Sequence, residues 1–456
     1  MFKVKTDLLE KVVYNLCKNA AQNLSEYTYG ILKEEYKKNP SERIANILEN
    51  ARIAAESNKP LCQDTGTVHV FLDTGNNVSF LSNPYETINK AVSKCYKENF
   101  FRKSITENLL ISAKNTGDNT PPVIETEYHK GDDVIIRVLL KGAGCDNVSS
   151  SDMLLPSTTE NDFVEFVSNK VLEKGKNACP PLFISVSCGG ASSNVLKNAE
   201  KNYFSENKNE LADKIKAKIN SLADKKYNNF FAADVKLSMY PHHMASFPVG
   251  ISVNCHSLRI SEARINSDET VEYSKNNVNF EKAAEKENKT VKEIHTSDTE
   301  AVRNLKEGEN ILLSGEIIIA RDAAHRKMKE IISKGEELPF DIRDKIIFYA
   351  APCPPKPNEI TGSIGPTTSS RMDKYIGEFP QIAATIGKGT RSEEACDFIR
   401  INNMVYFEAE GGIAAILSSK FKSYKITAFP ELLSEAAATA EVEKLPLTVA
   451  VSKNQN

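Results

Sequence analysis

The sequence predicts an α/β (α+β) fold divided into two domains. Three observations support this: apolar residues recur at helical spacing through the first 60 residues, short strand-like runs end on glycine turns, and a polar stretch separates two such regions. The length of 456 residues also exceeds what a single hydrophobic core usually supports. We therefore expect one domain at 1–288 and a second at 289–456.

The N-terminal 60 residues have the pattern of amphipathic helices. Leu8, Leu9, Val12, Val13 and Leu16 recur at intervals of three and four among charged residues. Such spacing places the apolar side chains on one face of a helix. We expect this segment to be helical up to a polar turn region near residue 60.

Strand-like runs follow in the rest of the first region. TVHVFLDTG at 67–75 is one, and VIIRVLLKGAG from Val134 indicates a strand pair ending on a glycine turn. PPLFISVS, followed by Cys188-Gly189-Gly190 and an apolar segment through Leu196, is typical of a strand, turn and helix. FPVGISVNC places Cys255 at the C-terminal end of a strand, where α/β folds often carry their sites.

Residues 266–308 are rich in Glu, Lys, Asn and Thr, which favours a solvated connection or a surface helix. Beyond them, NILLSGEIIIARDAAH indicates two β segments followed by a helix start. KIIFYAAPCPPKP indicates a further strand that ends in a proline-rich turn. The C-terminal region is therefore expected to form a compact α/β domain.

Composition limits the classes of partner and the compartment. The formal charge of -3 favours no polyanionic partner such as nucleic acid, and no stretch approaches about 18 apolar residues, so no membrane association is expected. The N-terminal residues lack the apolar run of a signal peptide. Nine cysteines without any Cys-x-x-Cys pair indicate reduced thiols in a cytoplasmic protein, and any metal site must combine distant segments.

Four segments rich in glycine and polar residues follow apolar runs: CQDTGT at 62–67, KGAG at 141–144, ARDAAH at 320–325 and GSIGPTTSSRMD at 362–373. Arg102, Arg321 and Arg371 stand beside such turns, and guanidinium groups match carboxylates well. A dicarboxylic acid would suit them. Taken singly, each turn is also explained by ordinary turn chemistry and each arginine by a surface ion pair.

Together these motifs resemble the class I fumarate hydratases, the iron–sulfur family that includes L-tartrate dehydratase. CQDTG, KGAG, ACPP and HHMASFPVGISVNCH resemble the family's α region, and LLSGEIIIARDAAH, APCPP, GSIGPTTSSRMD and IGKGTRS its β region, in the family's order. The resemblance implies the two regions fused in one chain. It further implies a cluster-binding α+β domain, a C-terminal swivelling β/β/α domain, an active site between them and a homodimer.

The resemblance also implies the activity and its residues. The expected reaction is the reversible hydration of fumarate to L-malate, with a [4Fe-4S] cluster that keeps one iron open as a Lewis acid. The expected ligands are Cys62, Cys179 and Cys255, and the expected acid–base residues are Asp64 and Thr367. The substrate would contact Gln63, Arg102, Gly144, His243, Arg321, Arg371 and Lys388.

Composition alone does not select these cysteines, since free cysteine is commonly a small buried apolar residue. Cys145 and Cys188 are the nearest competitors, and both depart from the family's usual residues. Asp322 is a plausible partner of the site, and His325 is equally explained as a helix-packing histidine. Thr367 is the weakest assignment because a hydroxyl is a poor base unaided.

Two alternatives remain open. The same motifs would serve dehydration of L-tartrate or another 2-hydroxy diacid, and fumarate is favoured because the chain is fused. A non-enzymatic iron or oxidant sensor could use the same exposed cluster, although a sensor has no need of the three arginines. A nucleotide-binding enzyme is excluded because neither G-x-G-x-x-G nor the P-loop pattern occurs.

Overall fold

The structure is a computed structural model that describes residues 1–108, 110, 112–206, 208–274, 278, 280 and 291–453. The chain divides into two units: Met1–Pro60 with Asp64–Lys282, and Leu61–Gln63 with Ala283–Asn456. The boundary expected near residue 288 lies outside the described residues.

Helices and strands alternate irregularly in the first unit. Its helices are α1 (Thr6–Gln22), α2 (Glu26–Lys38), α3 (Glu42–Ser57), α4 (Pro84–Glu98), α5 (Ala143–Asp146), α6 (Glu160–Lys174), α7 (Val195–Lys201) and α8 (Glu210–Leu222). Its strands are β1 (Phe2–Val4), β2 (Thr67–Gly75), β3 (Val78–Phe80), β4 (Thr106–Asn108), β5 (Ser112–Asn115), β6 (Val123–His129), β7 (Val134–Lys141), β8 (Ser150–Leu154), β9 (Leu182–Gly190), β10 (Ala232–His242), β11 (Phe247–Asn254), β12 (Ile260–Ile265) and β13 (Val271–Tyr273). This content confirms the α+β class.

The three N-terminal helices confirm the helical prediction. The side chains of Leu9, Val12, Val13 and Leu16 on α1 are all buried, as their spacing requires. The hydroxyl of Ser25 accepts a hydrogen bond from the backbone N–H of Thr28 and so caps α2. Ser41 caps α3 in the same way, which explains why the polar breaks separate three helices.

A five-stranded sheet in the order β13-β12-β7-β2-β6 forms one layer of the first unit. Helices α1 and α4 cover one face, and their apolar side chains share a core with those of β2, β7 and β12. The segment from Val134 forms the single strand β7 followed by the short helix α5, so the expected strand pair was wrong. The glycine turn starts a helix because Cys145 and Asp146 donate their N–H groups to the carbonyl of Gly142.

A second sheet has the order β10-β9-β11-β8. LFISVSCGG forms β9 and the segment from Val195 forms α7, which confirms the predicted strand and helix. The predicted turn at Cys188-Gly189-Gly190 was wrong, because these residues extend the strand and the turn follows at 192–194. FPVGISVN forms β11, and Cys255 follows its last residue as expected. β11 runs antiparallel to β9, and the side chains of α6 and α8 complete the core of this layer.

The second unit is built on one large sheet. Its helices are α9 (Thr299–Arg303), α10 (Asp322–Ser333), α11 (Asp373–Ile376), α12 (Glu393–Ile401) and α13 (Ala414–Ser418). Its strands are β14 (Lys292–His295), β15 (Asn310–Ile319), β16 (Ile346–Phe348), β17 (Ala384–Gly387), β18 (Val405–Glu408), β19 (Phe421–Ala428) and β20 (Ala437–Val451). The strand order is β14-β15-β16-β17-β18-β20-β19.

Strand β20 closes this sheet on itself. It pairs with β18 and β19 and also with β15, so β15, β16, β17, β18 and β20 form a ring of paired strands. NILLSGEIII is one strand, β15, where two segments were expected. A register shift between Leu313 and Gly315 interrupts its pairing with β20, and this irregularity explains the break in the sequence pattern.

No helix in the described part of the chain combines the length and the apolar character needed to cross a membrane.

Candidate functional site

Asp64 lies in the loop that leads into β2, at the same end of the five-stranded sheet as the K-G-A-G turn. Thr67, the first residue of β2, pairs with Lys141, the last residue of β7. The antiparallel register therefore brings the loop before β2 beside the turn after β7. Two of the motifs singled out in the sequence are neighbours for this reason.

The carboxylate of Asp64 is held by three donors. Oδ2 accepts a hydrogen bond from the backbone N–H of Ala143 at 2.8 Å, and Oδ1 accepts one from Gly66 at 3.3 Å. Nη2 of Arg102 lies 3.2 Å from Oδ1. The Asp64 side chain keeps 19 % of its surface exposed, so this fixed carboxylate remains accessible to a small molecule.

Two glycines allow the loop that carries Asp64 to lie close to the K-G-A-G turn. Gly66 has a φ of +78°, and a Cβ there would lie 2.5 Å from the carbonyl oxygen of Lys141. A Cβ on Gly142 would lie 3.0 Å from Nη2 of Arg259 and 3.1 Å from Oδ2 of Asp64. The glycines of CQDTG and KGAG thus permit the backbone contacts that hold Asp64.

Arg259 is a residue of this group that the sequence interpretation missed. Its Nη1 donates a hydrogen bond to the backbone carbonyl of Asp64, and its side chain lies against Gly142. The residue is 3 % exposed. The only signal in the sequence was a cation four residues after Cys255, in CHSLR.

Neighbouring groups favour the thiolate form of Cys255 although the residue is buried. A hydrogen bond from Cys145 lowers the pKa of Cys255 well below its ordinary value against the effect of burial, and the positive charges of His256 and Arg259 act in the same direction. Oγ of Ser257 lies 3.3 Å from its sulfur atom. Since the thiolate is the form of cysteine that binds metals, this environment favours a ligand role for Cys255.

Cys179 is tied to the segment that follows Cys255. Nδ1 of His256 lies 3.1 Å from the carbonyl oxygen of Cys179. A carbonyl oxygen only accepts hydrogen bonds, so Nδ1 of His256 is the donor in this contact. Cys179 itself adopts the left-handed conformation, with φ of 62°. Cys145 joins the same apolar core as Cys255.

Cys62 belongs to the second unit, whereas Cys179 and Cys255 belong to the first. Across the described ranges, no group of three or more His, Cys, Asp or Glu side chains is arranged to hold a metal ion. The three-cysteine ligand set therefore stays a prediction. Cys188 is buried in β9, opposite Val249 of β11.

A buried ion pair lies directly behind the K-G-A-G turn. Nζ of Lys141 is 2.6 Å from Oε1 of Glu200 and 2.7 Å from Oγ of Ser252, while Nδ1 of His69 is 2.9 Å from Oε2 of Glu200. Burial would raise the pKa of Glu200, but His69 and Lys141 together lower it to about 2. The pair anchors the last residue of β7 to α7 and β11. Its only signal in the sequence was a lysine after an apolar run.

In the second unit, Arg321 and Arg371 converge on acidic side chains. Nη2 of Arg371 lies 2.6 Å from Oδ2 of Asp322, and Nε of Arg321 lies 3.2 Å from the same oxygen. Nη2 of Arg321 is also 3.2 Å from Oε1 of Glu435. Burial opposes ionisation of Asp322, but the two arginines hold its pKa below the ordinary value. Two of the three arginines expected to bind substrate are thus adjacent.

Thr367 and Lys388 lie on neighbouring backbone segments. The N–H of Lys388 donates to the carbonyl of Thr367 at 3.0 Å, and the N–H of Thr367 donates to Tyr349 at 2.7 Å. Thr367 is 7 % exposed. The predicted base and the predicted lysine therefore belong to one well-fixed region of the second unit.

Gln63 is packed against the G-S-I-G-P turn. A Cβ on Gly365 would lie 2.5 Å from Oε1 of Gln63. The thiol of Cys353 donates to the backbone carbonyl of Gln63 at 3.4 Å, and that of Cys62 to its side-chain oxygen at 3.4 Å. Cys353 of APCPP is buried and helps to hold Gln63 in place.

Arg391 of IGKGTRS is a further residue that the sequence interpretation missed. Its Nε lies 2.8 Å from Oδ1 of Asp373, and its guanidinium lies between the rings of Tyr349 and Tyr406. Because Asp373 follows the S-S-R-M segment, this buried pair links two of the motifs.

The two histidines considered in the sequence differ in environment. His325 is 1 % exposed and packs against the rings of Tyr349, Tyr375 and Phe379, and burial lowers its pKa to about 4. This environment agrees with the interpretation of His325 as a histidine that packs its helix against the core. His243 lies exposed in the loop between β10 and β11, where its Nδ1 accepts from the N–H of Ala245.

An α+β chain with a fixed carboxylate beside arginines, and further arginines and a lysine on glycine turns, has the make-up of an enzyme for small anionic substrates. Residues 6–264 match the family described as fumarate hydratase (fumerase), and residues 266–456 match the fumarase C-terminus. The chain belongs to the fumarate hydratase family and is a hydro-lyase, as the motifs implied.

Relatives of this chain include proteins named fumarate hydratase and one named for L(+)-tartrate dehydratase. The chain is 31 % identical over 451 residues to the anaerobic class I fumarate hydratase of Escherichia coli. The alignment covers 90 % of this chain and 81 % of the relative. It is 29 % identical to fumarate hydratase 2 of Leishmania major over 456 residues, 90 % of this chain and 78 % of the relative. A Methanocaldococcus jannaschii protein named provisionally as an L(+)-tartrate dehydratase subunit alpha is 34 % identical, with coverage of 57 % and 98 %.

Proposed function

We propose that this chain catalyses the reversible hydration of fumarate to L-malate. The observation that carries the proposal is the Asp64 carboxylate, which is fixed by Arg102 and the N–H of Ala143 yet remains partly exposed. A carboxylate held in this way can exchange a proton with the oxygen that leaves or joins the substrate without having to find its position first.

The cofactor that we propose is a [4Fe-4S] cluster bound by Cys62, Cys179 and Cys255. The donor chemistry fits, because a hydrogen bond from Cys145 and the charges of His256 and Arg259 lower the pKa of Cys255. When bound, such a cluster with three protein ligands would supply an open iron that acts as a Lewis acid toward the hydroxyl and carboxylate of the substrate.

The remaining roles concern the substrate. We assign its carboxylates to Arg102, Arg321, Arg371 and Lys388, since guanidinium groups bind carboxylates through paired hydrogen bonds. Gln63, Gly144 and His243 would supply further polar contacts. Thr367 would remove the carbon-bound proton. A hydroxyl needs a neighbouring cation for this task. We assign Lys388 to this role because its main-chain N–H donates to the carbonyl of Thr367.

The test is turnover by anaerobically purified protein reconstituted with iron and sulfide. Fumarate, L-malate and L-tartrate are supplied in parallel and the absorbance of fumarate is followed. Activity on fumarate and malate that disappears in air is the expected result. Activity on tartrate alone would move the substrate to another 2-hydroxy diacid, and a loaded cluster with no turnover would favour the sensor.

We also propose that the protein is a cytoplasmic homodimer. Light scattering of the eluted protein should give twice the chain mass of 50.5 kDa, and a value equal to the chain mass would reject the dimer. Fractionation of cells should place the activity with the cytoplasmic enzymes.

A further inference from the structure

Five consecutive residues, Cys255 to Arg259, join three parts of the first unit. Cys255 follows the last residue of β11, His256 bonds to the backbone of Cys179, and Arg259 bonds to the backbone of Asp64. The backbone of Arg259 is itself fixed, because its carbonyl accepts the N–H of Leu140 at 2.9 Å. The segment therefore connects the two predicted ligand cysteines of this unit, Cys179 and Cys255, with the carboxylate of Asp64.

Asp64 is thus held through two different parts. Arg102, Gly66 and Ala143 bind its side chain, whereas Arg259 binds its main chain. The donors to the Asp64 side chain hold its carboxylate in place only if the distance between the Cα of Asp64 and the K-G-A-G turn stays constant. Arg259 contacts both, since Nη1 bonds to Asp64 and Nη2 lies against Gly142.

We infer that Arg259 is a positioning residue for Asp64, which sets the distance between the acid–base carboxylate and the K-G-A-G turn. This inference rests on the proposed function for the role of Asp64. Arg259 is 3 % exposed, so it acts through Asp64 and Gly142 and is not assigned a contact with substrate. The planar guanidinium suits the task because its two nitrogens reach two partners at once, which an ammonium group does not do in the same geometry.

Arg259→Lys and Arg259→Gln test this role, with Arg264→Gln as the matched control. Arg264 lies on β12 of the same unit and pairs with Asp133 at an exposed position. All variants are reconstituted, and their iron content, absorbance and melting temperature are measured first. Asp64→Asn serves as the reference for loss of the carboxylate.

We expect Arg259→Gln to lower kcat for fumarate at least 30-fold while KM changes less than threefold, and Arg259→Lys to retain an intermediate kcat. Arg264→Gln should match the wild type. Hydrogen exchange followed by mass spectrometry gives a readout that is independent of turnover. Peptides that cover 62–66 and 142–146 should exchange at least tenfold faster in Arg259→Gln than in the wild type or in Arg264→Gln.

The possible failures are distinct. If Asp64→Asn is inactive but both Arg259 variants keep the wild-type kcat and exchange rates, the inference is overturned and the proposed function stands. If Asp64→Asn is fully active, the role of Asp64 and the inference fall together. If the loaded wild type turns over no diacid, the proposed function fails, and unchanged exchange at 62–66 and 142–146 would overturn the positioning contact as well.

Discussion

Arg371 donates from Nη2 to Oδ2 of Asp322 at 2.6 Å, and this carboxylate is shared with Arg321. A substrate carboxylate that uses either arginine must therefore share it with Asp322. The Arg371 side chain is 43 % exposed, so its position depends largely on this contact. Asp322 is accordingly the acidic partner that the two arginines share, while Glu435 is a second partner of Arg321.

Replacement of Asp322 by Asn should raise KM for fumarate about tenfold, with a smaller effect on kcat. A tenfold change corresponds to a loss of about 1.4 kcal/mol in binding free energy. The neutral amide loses the charge-assisted bond that orients Arg371. Steady-state kinetics on the reconstituted protein measure the change. Asp268→Asn, in an exposed turn of the first unit, is the control. An unchanged KM would show that Asp322 does not orient the arginines.

Replacement of Cys255 by Ser should abolish both the visible absorbance of the cluster and the activity. The serine hydroxyl does not form the anion that Cys255 is disposed to form. Cys396→Ser, on α12 of the second unit, should keep both properties. A brown, active Cys255→Ser protein would remove this cysteine from the ligand set.

Replacement of Thr367 by Ala should leave the cluster intact and lower kcat by a factor on the order of 10²–10⁴, the usual contribution of a positioned acid or base. The backbone bonds of Thr367 to Tyr349 and Lys388 do not depend on its side chain, so the fold should be kept. Thr427→Ala, at an exposed position of β19, controls for loss of a hydroxyl. Near-normal rates would reject Thr367 as the base.

Replacement of Gly365 by Ala tests the position of Gln63. The new Cβ would lie 2.5 Å from Oε1 of Gln63, so that amide must move. Because only the end of a flexible side chain is displaced, we expect a small change in melting temperature but an increase in KM. Gly30→Ala is the control, since Gly30 lies inside α2 with nothing near its added Cβ. It should stabilise the protein by about 0.5–1 kcal/mol. An unaffected KM in Gly365→Ala would exclude Gln63 from substrate binding.

The sequence predicted those parts of the fold that depend on local periodicity. Helix α1, strand β9 and strand β11 with Cys255 at its end follow from the spacing of apolar residues. The missed contacts join residues far apart in sequence. Lys141 meets Glu200, and Arg259 meets Asp64, only through the pairing of strands, which no local pattern specifies.

The candidate site was predicted to a similar extent. The motif residues Asp64 and Arg102 are in contact. This contact could not be predicted, because the two residues are 38 positions apart in the sequence. The grouping of Leu61–Gln63 with the second unit could not be predicted either, because three residues in a loop are too few to show a pattern that assigns them to a core. Family resemblance supplied the roles, whereas the contacts required the fold.

The ion pair of Lys141 and Glu200 predicts how stability depends on pH. The pKa of Glu200 is about 2 in the folded chain, below its ordinary value of about 4.3 in an unfolded one. A depressed pKa stabilises the fold fully above pH 4.3, and this stabilisation, about 3 kcal/mol, is lost as the pH falls from there to about 2.

Glu200→Gln should remove this pH dependence. Because it leaves the buried Lys141 without its charge partner, it should also lower the free energy of unfolding at pH 7 by about 3–5 kcal/mol. Urea unfolding of the wild type, Glu200→Gln and the exposed control Glu173→Gln at several values between pH 2 and 7 measures both effects. A Glu200→Gln protein with wild-type stability at pH 7 would show that the pair does not anchor the K-G-A-G turn.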